Sequence, residues 1–250
     1  MAETIGVIDY GMGNLHSLGK ALERVASSER IVISFDPEEL RECDKLVLPG
    51  VGGVRACMQE LQRLELSQLV VEQAKKVPLL GICLGMQVLM EWSDENEGVP
   101  ALGLIPGKVV RFPDPAAAVP STSAGDPASF SRTPAAAPSA SAGDNNSLSK
   151  TPAEAKPRLK VPHMGWNRVK QSRAHPIWAG VPDNSWFYFV HSYHAAPRQI
   201  KNILGTADYT HTFCAALTHD NLVAFQFHPE KSQGAGMQLL SNFVSWDGDV

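Results

Sequence analysis

Long apolar runs are missing from this sequence. No stretch approaches the roughly 18 uninterrupted apolar residues of a membrane-spanning helix, so no membrane role is expected. The first residues, MAETIGVIDYGMGN, hold neither a basic region before an apolar one nor a small-residue cleavage site. That predicts a chain that is not exported and works in the cytoplasm. Basic runs are missing too. Lysine and arginine total 22 against 26 acidic residues, a formal charge of −4, which argues against nucleic acid as a partner. There are only four cysteines, Cys43, Cys57, Cys83 and Cys214, and none forms a C-x-x-C pair. A metal site or dithiol redox chemistry is therefore not expected, and reduced thiols are.

Apolar residues make up 44% of the 250 positions, enough for one well-filled domain. The segment Pro113 to Pro157 departs from that composition, being almost entirely Ala, Ser, Pro, Thr, Gly and Asp. Within it PSTSAGDPASFSRTPAAA (120–137) is followed by PSASAGDNNSLSKTPAEA (138–155), an 18-residue unit repeated with 12 identities. Two copies with almost no apolar residues cannot stack into a solenoid core. The composition predicts a disordered insert with a duplicated unit. Without it about 205 residues remain, one domain of ordinary size.

The first half alternates short apolar runs with helical spacing. Strands are expected at Ile5 to Asp9, Arg30 to Phe35, Lys45 to Leu48 and Val77 to Ile82. Helices are expected at Leu15 to Val25, from the Asp36 cap through Cys43, at Val54 to Leu64 and Leu66 to Lys76, and from Leu84 to Trp92. This alternation predicts an α/β fold with a mostly parallel sheet and helices on both faces. In the second half Lys108 to Phe112, Trp186 to His191, Thr212 to Thr218 and Leu222 to Phe227 read as strands of an antiparallel extension. Gly236 to Trp246 reads as a closing helix.

Three strand-end turns carry chemistry. Gly81-Ile-Cys83-Leu-Gly85 has the layout of a nucleophile elbow with sulfur in place of oxygen. On this motif alone a buried structural cysteine fits equally well. FHPEKS (Phe227 to Ser232) sets His228 and Glu230 two residues apart, on one side of an extended segment. A carboxylate there would hold the imidazole tautomer, although a surface histidine with a chance neighbour reads the same way. PGVGG (Pro49 to Gly53) can turn backbone N–H groups toward an anion. A phosphate-loop consensus is absent, and GMGN (Gly11 to Asn14) lacks the third glycine of a dinucleotide fingerprint. An oxyanion donor therefore fits PGVGG better.

GICLGMQ, PGVG and FHPEKS together resemble the class I glutamine amidotransferases. DYGMGN (Asp9 to Asn14), VPHMGWN (Val161 to Asn167) and YFVHSY (Tyr188 to Tyr193) narrow the likeness to the glutaminase subunits of imidazole glycerol phosphate synthases. The resemblance covers both flanks in order, Ile5 to Phe112 and Val161 to Val244, and is interrupted only by the insert. It implies a flavodoxin-like fold and a Cys83–His228–Glu230 triad acting on glutamine. It also implies oxyanion donors at Val51 and Leu84, with Gly50 and Gly52 giving the loop its freedom. Gln87, Glu95, Ser192 and Tyr193 would hold glutamine, with Asp94 and Glu97 as acidic alternatives to Glu95. No cofactor is implied. The implied partner is a cyclase subunit, a (β/α)₈ barrel that takes up the ammonia, facing Asn14, Met164, Trp166, Tyr188 and Lys231. Core packing is the competing expectation for Trp166 and Tyr188. Competing functions are the glutaminase of another synthase, a free-standing cysteine hydrolase, and a non-catalytic nucleotide- or flavin-binding module.

Overall fold

The structure is a computed structural model that describes residues 2–113 and 159–249. The repeat-bearing insert lies outside the described residues, Pro113 aside. The first half runs β1 (Thr4–Ile8), α1 (Leu15–Val25), β2 (Arg30–Ser34), α2 (Pro37–Arg41), β3 (Lys45–Leu48), α3 (Val54–Arg63), α4 (Leu66–Gln73), β4 (Leu79–Ile82) and α5 (Leu84–Val88). Then come β5 (Met90–Ser93), β6 (Val99–Pro100) and β7 (Ile105–Arg111). After the insert follow β8 (His163–Gln171), β9 (Ser185–His191), β10 (Tyr193–Pro197), β11 (Ile203–Asp208), β12 (Thr212–His219), β13 (Leu222–Phe225) and α6 (Gln233–Ser245).

The main sheet has nine strands in the order β2-β1-β3-β4-β13-β12-β11-β8-β9. Its first five strands are parallel to their neighbours, and from β13 onward the pairs are antiparallel. The antiparallel extension is therefore as wide as the parallel part. The parallel strands are covered on both faces, which explains their unbroken apolar runs. Alternation within them sorts side chains into two layers. Val47 joins the core under α1 and α6, with Leu22 and Leu240. Leu46 and Leu48 join the core under α3, α4 and α5, with Cys57, Leu61 and Leu69. Asp36 caps α2, its carboxylate accepting the Glu38 N–H at 3.0 Å.

One expected element is corrected. The helix from Leu84 stops at Val88, and Met90–Ser93 becomes β5. Every residue of α5 is buried, so it has no polar face that a longer surface helix would need. The chain turns instead to pair β5 with β7 in a second sheet of order β10-β7-β5-β6. Of its strands the sequence pattern announces only β7, expected at Lys108 to Phe112 as part of the antiparallel extension. The second sheet carries Tyr193 at the start of β10 and places Glu95 just after β5. Among the described residues no helix is long and apolar enough to cross a membrane.

The order β1-β3-β4-β13 is what builds the site. Because these strands are parallel neighbours, the loops after them emerge side by side at one edge. These are the GMGN, PGVGG, Cys83 and Gln226–His228 segments. Ligands in open α/β sheets bind beyond this edge.

Candidate functional site

Cys83 sits between β4 and α5 with φ 55° and ψ −107°. A non-glycine residue rarely takes positive φ, and such strain gathers at functional sites. Its backbone N–H donates to the Phe225 carbonyl at 2.7 Å, which ties the turn to β13. Gly85 makes the turn possible. A Cβ at this position would lie 1.8 Å from the Leu48 carbonyl oxygen, so α5 can cross β3 this closely only over glycine.

The oxyanion loop follows β3. The Leu84 N–H, expected to face an oxyanion, donates to the Gly50 carbonyl at 3.4 Å. A trans peptide holds its C=O and N–H on opposite sides. The Gly50–Val51 unit therefore turns its oxygen toward Leu84 and the Val51 N–H away from it. Gly52 has φ 100°. Tyr10 anchors the start of the loop by donating its hydroxyl to the Pro49 carbonyl at 2.8 Å.

His228 Nδ1 lies 2.9 Å from Glu230 Oε1, and both side chains are only 3% exposed. The sequence reading of an extended segment is corrected here. β13 ends at Phe225, and Pro229–Lys231 forms a single 3₁₀ turn. Pro229 suits its first position because its missing N–H would be unpaired there. The turn is held from below. Ser232 Oγ donates to the His228 carbonyl at 2.6 Å and accepts the Tyr188 N–H at 3.0 Å. The His228 N–H donates to the Tyr188 carbonyl at 2.9 Å. Burial alone would make His228 less basic, but the Cys83 sulfur and the Glu230 carboxylate outweigh it and push His228 up to about 9. The second ring nitrogen, Nε2, has no hydrogen-bond partner among the described residues.

Cys83 and His228 line one cleft of about 460 Å³, joined by Val51, Gly52, Leu84, Gln87, Glu95, Ser192 and Tyr193. That volume suits a small molecule. Glu230 and Gly50 are not in that lining; Glu230 pairs with His228, and the Gly50 carbonyl accepts from Leu84. Two of the three acidic choices are now distinguishable, and the third, Glu97, is exposed. Glu95 faces the cleft and accepts the Val54 N–H at 2.7 Å, whereas Asp94 pairs with Lys108 at 3.1 Å. Pro162, Val190 and His191 also line the cleft, a place that the sequence pattern does not assign them. Cys43, Cys57 and Cys214 are buried, and burial pushes their thiols up to about 11, 12 and 12.

Beside the cleft, β8 and β9 present an apolar surface. Met164 is 62% exposed and Trp166 44%, so core packing is not their role. Trp166 meets Tyr188 edge to face at 6.0 Å, and Lys231 Nζ stands 6.0 Å over the Tyr188 ring. Asn14 is exposed at the start of α1, and its side chain makes no capping bond there.

Sequence reasoning missed Gln226, which is fully buried and 3.8 Å from Cys83 Sγ. The signal was present: an amide inside the apolar run LVAFQF must find partners.

Residues 6–246 match the class I glutamine amidotransferase family. The chain is 44% identical over 245 residues to imidazole glycerol phosphate synthase subunit HisH of Nitrosococcus oceani, covering 98% of each chain. It is 44% identical over 248 residues to subunit HisH 1 of Pseudomonas aeruginosa, covering 99% of each. Among solved structures, a putative GMP synthase protein from Thermoplasma acidophilum superposes with a TM-score of 0.61 at 18% identity, covering 98% of this chain and 94% of that one. PurLQS from Thermotoga maritima superposes with a TM-score of 0.60 at 14% identity, covering 98% of each. At those identities the likeness is one of fold.

Proposed function

The chain belongs to the class I glutamine amidotransferase family, and from that premise we propose that it is the glutaminase subunit of an imidazole glycerol phosphate synthase. It hydrolyses glutamine to glutamate and ammonia, and passes the ammonia to a cyclase subunit in histidine biosynthesis. The reading is supported by full-length similarity to the HisH subunits. The observation that carries it is Cys83 on a strained elbow in the same cleft as His228, whose ring pairs with Glu230.

Cys83 attacks the side-chain amide carbon of glutamine. His228 takes the thiol proton and gives it to the departing ammonia. Glu230 fixes the Nδ1–H tautomer, leaving Nε2 for the proton transfers. His228 then activates water, which cleaves the glutamyl thioester. Gln87, Glu95, Ser192 and Tyr193 hold the substrate. The oxyanion is held by the N–H groups of Leu84 and Val51, each worth about 2.7–4 kcal/mol when aimed. In the present loop conformation the Gly50 carbonyl occupies the Leu84 donor. Turning the Gly50–Val51 peptide over frees that donor and adds the second. A ligated partner that favours the turned state would switch hydrolysis on by population shift.

The partner is a (β/α)₈-barrel cyclase that converts a ribulosylamino-carboxamide ribonucleotide to imidazole glycerol phosphate and an aminoimidazole carboxamide ribonucleotide. It docks on Met164, Trp166, Tyr188, Lys231 and Asn14. The His228–Tyr188 backbone bond links that face directly to the site.

The test measures glutamate release by the chain alone, then with the cyclase and its ribonucleotide. Strong stimulation is expected, with loss of hydrolysis in Cys83→Ala. Substantial hydrolysis by Cys83→Ala would sink the nucleophile assignment, and high activity without stimulation would sink the pathway. For the loop, Gly50→Pro is an unsuitable probe, because a Cβ there meets Tyr10 Oη at 2.3 Å. Val51→Pro removes the donor itself, and the stimulated rate should fall about 10²–10³-fold.

A further inference from the structure

Gln226 lies between β13 and His228, with its side chain fully buried. Its Nε2 is 3.8 Å from Cys83 Sγ. Its Oε1 is 3.1 Å from Gln87 Nε2, and that same nitrogen of Gln87 is 2.9 Å from the backbone carbonyl of Tyr193. The direction of this chain is settled at its far end. A backbone carbonyl only accepts, so Gln87 must present its NH₂ group to Tyr193. The nitrogen then also donates to Gln226, which must present its oxygen to Gln87 and its own NH₂ group to the sulfur. An amide flip that turned an acceptor toward Cys83 would set two NH₂ groups against each other.

We propose that Gln226 is a positioning residue for the reaction, an amide donor to the Cys83 sulfur that is held in that orientation by Gln87 and the Tyr193 carbonyl. The proposal rests on the reading of Cys83 as the nucleophile. Cys83 is nearly buried, and a charged sulfur away from water needs donors. His228 becomes one only once it has taken the thiol proton. It surrenders its proton to ammonia during turnover, so a second donor that never gives up its proton has a distinct use. The contact is long for a neutral thiol. It gains strength as charge develops on sulfur, since hydrogen bonds to charged groups are roughly twice as strong as neutral ones. Gln87 thereby has a second role beside facing the substrate cleft, which ties the donor's aim to the floor of that cleft.

A merely structural Gln226 would satisfy the core and leave the sulfur's reactivity alone, so reactivity is the measurement. The rate of Cys83 alkylation by iodoacetamide is followed site by site with mass spectrometry across pH, in the full chain. Wild type is compared with Gln226→Met, Gln226→Glu and Gln87→Met, each checked for native circular dichroism. In Gln226→Met alkylation at pH 7 should slow roughly tenfold. Gln226→Glu keeps the shape and the bond from Gln87 but places an acceptor on the sulfur, and should slow it more. Gln87→Met leaves the amide in place but unaimed, and should give an intermediate slowing. Should one Gln226 variant fail to fold, the other and Gln87→Met decide. A profile unchanged in folded variants overturns the proposal. In wild type, alkylation of Cys83 must abolish glutamine hydrolysis. Survival of hydrolysis overturns the nucleophile reading instead, so the two failures are distinct.

Discussion

Replacing Gly85 by alanine should damage the protein in two measurable ways. The added Cβ would stand 1.8 Å from the Leu48 carbonyl oxygen and 2.8 Å from its carbon. Ordinary contact begins near 3.4 Å, so α5 must retreat from β3 by about 1.6 Å at this point. Neither side yields easily, because Leu48 and Leu84 are buried and both are backbone-anchored in the core. Overpacking of this kind costs about 1–3 kcal/mol, or roughly 2–12 °C of melting temperature for a domain of this size. The start of α5 also carries Cys83 and the Leu84 N–H. Displacing reacting groups by about 1 Å costs on the order of 100-fold in rate, so partner-stimulated turnover should fall at least that far. Gly234→Ala is the control. Gly234 lies in α6, has no atom within 4 Å of its would-be Cβ, and should be neutral or stabilise by about 0.4–1 kcal/mol. Calorimetry and glutamate release on both variants decide the matter. An unchanged melting temperature and turnover in Gly85→Ala would refute the close-crossing argument.

Glu230→Gln keeps the shape of the side chain and removes its charge. Turnover should fall about 10³–10⁴-fold, and NMR titration should show the His228 ring, raised to about 9 by Cys83 and Glu230 together, losing the share that Glu230 supplies. Because that value is raised, the pair's contribution to stability is complete below pH 6.5 and is lost as pH rises through about 9. Thermal melts of wild type should therefore decline over that window more than those of the variant. His163, His191 and His194 behave oppositely, since burial pulls them down to about 4, 3 and 4. The unfolded chain takes up protons first, so denaturant midpoints should drop between pH 6.5 and 4, and an unchanged midpoint at pH 5 would contradict this. Trp166→Ala should weaken association with the cyclase by about tenfold or more at unchanged melting temperature, measured by calorimetric titration.

The parallel half of the fold is legible because its strands are buried on both faces and read as plain apolar runs. Lys45 to Leu48 and the helix Leu15 to Val25 coincide with β3 and α1. The antiparallel half is less so. β8 carries exposed Met164 and Trp166 and an internal glycine, so its pattern advertises a surface motif more than a strand. β11 holds Gly205 at a register shift against β12. β5 reads as helix because it continues an apolar stretch from α5, and nothing local marks the change. Only its pairing with β6 and β7 makes it a strand.

The site divides along the same line. Cys83, His228 and Glu230 lie in short motifs that each leave a structural reading open, and only their resemblance as a set singles them out in the sequence. The bonds that orient them do not follow spacing. Ser232 reaches Tyr188 from 44 positions away, and Gln87 reaches Gln226 from 139. Neither pair exists until β4, β13 and β9 are in register. Gln226 shows why such groups stay hidden. Its neighbours in sequence are Phe225 and Phe227, so the pattern says that its amide must find partners but not which ones. Only the carbonyl of Tyr193, brought beside Gln87 by the second sheet, decides which end of the Gln226 amide faces the sulfur. That sheet thus supplies more than a wall of the cleft. Through one backbone oxygen it sets the polarity of the group beneath the cysteine.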